Sequence, residues 1–312
     1  MEKADMMSKW HQFGVRLMSL SLITAPVIIS ASEAHASEAG TAKFCGSASV
    51  RPRWTGSAQA SSSSEGRMSD QAVADYKATH DSEASQIAKL RVDATRQEDA
   101  KRTELASVHR RQPSAKCDAQ RIAPAYTSGS GYAYISWMVQ YGQTRSNYCG
   151  PATVAEMSAT VPGPSLVGLN QDAVASYMGT DSTGTDVQEM VNGLNHYVGQ
   201  PDFGWNFYSF VWMDYNPTPA QRSTFLNNLQ IDVQYNSPVA GDAWEAAGGP
   251  HLPGHPVNQE IFHWFEIGGW NTNTGQVWFA DSATTVWSGV PAYSVYSTHT
   301  IGTILGGRGY IW

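Results

Sequence analysis

His263-Trp-Phe-Glu-Ile-Gly-Gly-Trp270-Asn-Thr-Asn-Thr-Gly275-Gln-Val-Trp-Phe-Ala-Asp281 is a pair of aromatic-rich runs joined by a turn-forming Asn/Thr/Gly stretch. That is the signature of an antiparallel hairpin. Residues 263 and 281 are almost symmetric about position 272, so pairing through the turn brings an imidazole and a carboxylate to the open end of the hairpin. A carboxylate there suits the orienting of a catalytic imidazole; a buried structural His–Asp pair fits the same spacing. Residues 231–235, 238–240, 293–296 and 310–312 also read as strand. The sequence before them reads as helix. Pro151 fits a first helical turn that continues through 152–159, and 170–178 is short helix ended by Gly179. Asp186 can cap a helix running to about Tyr197, and Thr218-Pro219 starts another that reaches Leu229. Helices first and an antiparallel sheet second predict an α+β domain.

The helix that begins near Pro151 follows Gln143-Thr-Arg-Ser-Asn-Tyr-Cys149-Gly-Pro-Ala-Thr153. A helix N-terminus carries partial positive charge and unpaired N–H groups, which favour a thiolate. The same N–H groups, with the Gln143 amide, could hold the oxyanion formed when a thiolate attacks a carbonyl. A sulfur nucleophile also needs a base, and that base an orienting partner. His196, His251, His255, His263 and His299 are the histidines after Cys149, and His263 is the one set opposite a strand-end carboxylate.

Gln143, Cys149-Gly-Pro-Ala, Pro238-Val239, the His263 strand to Gly269-Trp270, and the aromatic strand to Asp281 come in an order that resembles the bacteriocin-processing-peptidase-like, or double-glycine peptidase-like, cysteine peptidases. The resemblance covers about residues 134–290 and implies a papain-like fold. It implies Cys149 as nucleophile, His263 as general base, Asp281 as the orienting acid and Gln143 as the oxyanion-hole amide. Two departures stand out. The His-to-Asp interval is longer than the family's usual one, which makes Asn271 a reserve candidate for the third role. The insertion 202–217 and the loop 248–256 have no place in the family pattern.

Composition divides the chain near residue 120. Residues 37–120 hold thirteen Lys/Arg and eleven Asp/Glu, whereas residues 121–312 hold no lysine, four arginines, thirteen Asp/Glu and nine of the eleven tryptophans. Such an acidic domain is expected to repel nucleic acid, and the resemblance implies a peptide or protein as the partner, with a cell-wall peptide among the candidates. A secreted papain-like domain that binds through an aromatic surface without turnover is the alternative. Residues 1–36 have the basic start, apolar run and small-residue end of a secretory signal, which predicts an exported product with no membrane span. In an oxidising compartment a Cys45–Cys117 disulfide with Cys149 free is the economical arrangement of three cysteines; three free thiols are the alternative. Residues 68–112 read as one polar helix, a stalk, weak coiled coil or propeptide rather than a core element. His251 and His255 sit in a Pro/Gly loop without helical metal-ligand spacing, so neither metal nor cofactor is expected. The aromatic run 205–212 fits either a groove wall or a core patch.

Overall fold

The computed structural model describes residues 68–111, 126–161 and 168–312. The expected signal segment and the Cys45–Cys117 pairing lie outside them. An eight-stranded antiparallel sheet carries the fold: β1 (Tyr126–Gly129), β2 (Tyr132–Ile135), β3 (Phe210–Trp212), β4 (Val239–Glu245), β5 (Ile261–Asn271), β6 (Gln276–Ala280), β7 (Tyr293–Ser297) and β8 (Gly309–Ile311). The helices are α1 (Asp70–His80), α2 (Ala84–Arg111), α3 (Cys149–Thr160), α4 (Gln171–Met178), α5 (Val187–Leu194), α6 (Pro219–Gln234) and α7 (Thr298–Leu305). The class is α+β, as the order of helical and strand patterns predicts.

β5 is the axis of the sheet. Its first half pairs with β4, its second half with β2, and residues from Glu266 onward also pair with β6 on the opposite edge. The β5–β6 register breaks between Ile267 and Gly269, with Ala280 opposite Glu266. The turn pairs Asn271 with Gln276, so the hairpin is centred beyond Asn273 and off the symmetry about residue 272 that the sequence suggests. β6 therefore ends three residues short of His263, and Asp281 leaves the sheet to reach it. Asn271 belongs to the turn instead, its side chain accepting from the N–H groups of Asn273 and Thr274. That removes it from any third role beside His263.

α3 is buried over its whole length, with Ala, Val, Met and Thr filling every side. A helix apolar all round belongs inside a core, and α3 lies there against β5 and α4. Asn170 caps α4, and Gly179 ends it at φ +90°. Asp186 and Glu189 form a reciprocal capping box on α5. Beyond α5 the chain continues as a π-helical stretch, Asn195–Phe203.

Two expectations are corrected. Residues 231–235 are not strand: α6 runs on to Gln234, because Phe225, Asn228, Leu229, Asp232 and Val233 bury one helical face. Residues 68–112 are not a single polar rod either. The segment breaks after His80 into α1 and α2, and Val73, Ile87, Ala94 and Leu105 enter buried packing. Two lysines go in with them. Lys77 donates to the carbonyls of Thr303, Ile304 and Gly306 at the end of α7, at 2.8, 3.1 and 2.6 Å. Lys101 pairs with Asp232 of α6 at 2.9 Å and lies 3.8 Å over the Phe207 ring. The aromatic run resolves as core: Phe207, Tyr208 and Phe210 are buried, with Phe203 stacked on Phe207.

Candidate active site

Cys149 opens α3 with no side-chain cap on the helix, since Tyr148 makes none and Pro151 brings no N–H. The first-turn N–H groups therefore point out of a desolvated helix end, where the macrodipole is screened least. Cys149 is a free thiol, 8 % exposed. Gly150 gives it room, because any Cβ there would run into Thr185.

The structure brings Cys149, His263 and Asp281 together. His263 is buried on β5, its Nε2 3.0 Å from Asp281 Oδ1. The Cys149 thiol lies close enough to the same imidazole to act on its protonation. With Nε2 taken by Asp281, Nδ1 is the nitrogen left for sulfur. Asp281 is held in turn. Its Oδ1 accepts from the Ala283 N–H at 2.8 Å, and the Gln140 amide donates to its carbonyl at 2.9 Å. Burial works against a charged His263, but the Asp281 charge and hydrogen bond, with the Cys149 contact, outweigh it and raise the imidazole well above its ordinary value. Burial likewise opposes the Asp281 charge, yet His263 and His255 hold that carboxyl well below the usual carboxylate range.

Gln143 is buried beside this group but faces away from an oxyanion. Its amide nitrogen donates to the carbonyls of Arg145 and Ser146, both at 2.9 Å, and its oxygen accepts from Ser282 at 3.3 Å. Both amide hydrogens thus shape the loop that leads into Cys149.

Two groups were not legible as part of the site. His255, read from sequence as a loop histidine without metal-ligand spacing, is buried with Nδ1 3.0 Å from Glu245 and Nε2 3.1 Å from Asp281 Oδ2. The contact with Asp281 is short but bent, so neither atom has an aligned hydrogen-bond partner there. His255, His263 and Asp281 bring possible ligand atoms within 4.8 Å of one another. The His263–Asp281 separation of 3.0 Å is that of a proton-bridged ion pair, and the His255–Asp281 separation is 3.1 Å. Tetrahedral zinc with its usual bond lengths spaces ligand atoms about 3.3 Å apart. The other group is a carboxyl pair. Burial, then mutual repulsion, raises Glu156 of α3 well above its ordinary value, and burial raises Glu266 of β5 to about 8.

No family model and no curated protein matches the chain. Among solved structures it is similar to the peptidase domain of Streptococcus ComA, a bi-functional ABC transporter involved in a quorum-sensing pathway. The two are 13% identical, the match covers 56% of this chain and 96% of that one, and the TM-score is 0.35. Among the described residues no helix is long and apolar enough to cross a membrane.

Proposed function

We propose that this chain is a cysteine hydrolase of peptide or amide bonds, built as a papain-like peptidase, with Cys149 as nucleophile, His263 as base and acid, and Asp281 orienting the imidazole. The observation that carries the reading is the convergence of thiol, imidazole and carboxylate at the uncapped start of a wholly buried helix. In this mechanism the thiolate attacks the carbonyl carbon. The main-chain N–H groups at the start of α3 receive the oxyanion. Gln143 joins them only by releasing the Arg145 or Ser146 carbonyl. His263 then gives its Nδ1 proton to the leaving amine, and water, deprotonated by the same nitrogen, releases the acyl group from sulfur.

Peptides of protein or of the cell wall are the substrate classes this chemistry fits, and digests of each tell them apart. Export is part of the proposal and rests on the N-terminal sequence alone. The test is labelling by iodoacetamide at neutral pH, together with hydrolysis of a peptide library. Fast labelling at Cys149, lost in His263→Ala, and hydrolysis lost in Cys149→Ala are expected. Equal, slow labelling in wild type and His263→Ala overturns the reading.

A further inference from the structure

The chain of buried charge does not stop at Asp281. His255 has a carboxylate on each ring nitrogen, Glu245 on one side and Asp281 on the other, and all three residues are buried. A neutral imidazole has one N–H and would turn a lone pair toward one carboxylate in a dry setting; the imidazolium presents an N–H and positive charge to both. The surroundings fix this arrangement. Glu245 also accepts from the Leu252 N–H at 3.3 Å, and the Trp287 ring packs on His255 with centroids 4.6 Å apart. The Tyr296 hydroxyl donates to the His251 carbonyl at 2.9 Å, tying down the loop that presents His255.

We propose that His255 is a positioning residue of the catalytic site: a buried imidazolium that holds the far oxygen of Asp281 and balances its charge, so that Asp281 orients His263 without locking the proton onto it. The proposal rests on the cysteine-hydrolase reading and deepens it. A lone dry carboxylate against His263 would stabilise that imidazolium strongly, and His263 must surrender a proton to the leaving amine. A second cation on Asp281 weakens the hold. It also lowers the cost of a thiolate nearby. Other groups bear on the same balance. Glu245, Asp281 and His263 face His255, His251 lies 3.9 Å from the same Glu245, and Cys149, Asp242 and Glu156 act on His263.

The test is the pH dependence of Cys149 alkylation by iodoacetamide in wild type and in His255→Gln, which keeps a donor and loses the charge. The His255 and His263 ring centroids are 5.2 Å apart. At an effective dielectric constant of ~20, one charge at that range is worth roughly two pH units at His263 and on the order of one at the more distant sulfur. Removing a cation makes every deprotonated state of the Cys149–His263 pair harder to reach, so the acid limb of the profile moves to higher pH by about one unit. A His255→Gln profile lowered at all pH values with its limb unmoved marks a merely structural part and overturns the proposal, while the hydrolase reading stands. A wild-type limb at the value of an ordinary thiol, unaffected by His263→Ala, sinks the hydrolase reading and this inference with it. Should His255→Gln fail to fold, nitrogen-15 histidine spectra of the wild type decide. Both His255 nitrogens protonated at pH 7 are expected, and a neutral ring there refutes the assignment.

Discussion

Replacing Lys101 by methionine should open a stability gap that widens with pH. Lys101 and Asp232 are fully buried against each other, 2.9 Å apart. Burial pushes the lysine down to about 8 and the aspartate up to about 6, each partly restored by its partner's charge. In Lys101→Met the carboxylate has lost its cation and stays in the core by taking up a proton. Its folded value then lies far above the unfolded 3.8. A group raised on folding contributes stability below its unfolded value and loses it as pH rises toward the folded one, by about 1.4 kcal/mol per pH unit. From pH 5 to pH 8 the variant therefore loses about 4 kcal/mol from Asp232. Wild type loses about 1.4 kcal/mol as Asp232 passes its folded value, then nothing more from this group. Lys101, with its lowered value, stays charged over most of that range and adds little slope.

The gap between the two proteins thus grows by about 2.5 kcal/mol from pH 5 to pH 8, less whatever the neighbouring Arg102 retains. Urea unfolding at fixed m-value across that range measures it. Lys101→Met with Asp232→Leu should remove the pH dependence and restore or exceed wild-type stability, because an apolar pair avoids two desolvation costs. A constant gap, or no loss at any pH, would refute the burial of this pair and with it the packing of α2 onto α6.

Glu266→Gln acts on the other buried carboxyl. With its folded value raised to about 8, Glu266 stabilises below its unfolded range and loses that contribution as pH rises. Wild type should therefore lose on the order of 4 kcal/mol from this group between pH 5 and pH 8, and the variant should lack that slope in the same urea series. Gly150→Ala drives a methyl group into Thr185 and shifts the start of α3, which should slow Cys149 alkylation about tenfold, a change of about 1.4 kcal/mol. Adding Thr185→Gly should restore the rate, and a slow double variant would mean the methyl group acts elsewhere.

Local chemistry made much of the fold readable. Asn170, Asp186 and Thr218 cap the helices that their residue types predict, and Gly179 ends one. The hairpin and the approach of His263 to Asp281 follow from strand composition around an Asn/Gly turn. Its register does not, because the turn is centred beyond residue 272 and a bulge interrupts the ladder before Gly269. The strand-like appearance of residues 231–235 came from Ile231 and Val233, and α6 turns Val233 onto its buried face, where tertiary packing overrides propensity. The β1–β2 hairpin and α7 were missed. Residues 126–135 are too short for a clear period, and 298–305 mixes Thr, Gly and Ile without a strong helical stripe. His255 was missed for a different reason. Its partners lie on β4 and after β6, so only the fold reveals two carboxylates around one loop imidazole.

The buried lysines change the standing of residues 68–111. A lysine-free sequence from 121 onward makes the boundary look like the edge of a separable segment. Yet Asp232 takes its cation from α2, and the carbonyls ending α7 take their donors from α1. Departure would expose the Phe207 and Trp312 rings beneath Lys101 and exchange both sets of lysine contacts for water. The same accounting links this clamp to the site. α1 also meets the loop before His251, where the Met68 N–H reaches the Gly248 carbonyl at 3.4 Å and Gly249 lies against Val73. The segment that looked most detachable thus supports the loop that carries His255 to Asp281, so the N-terminal helices belong to the folded unit.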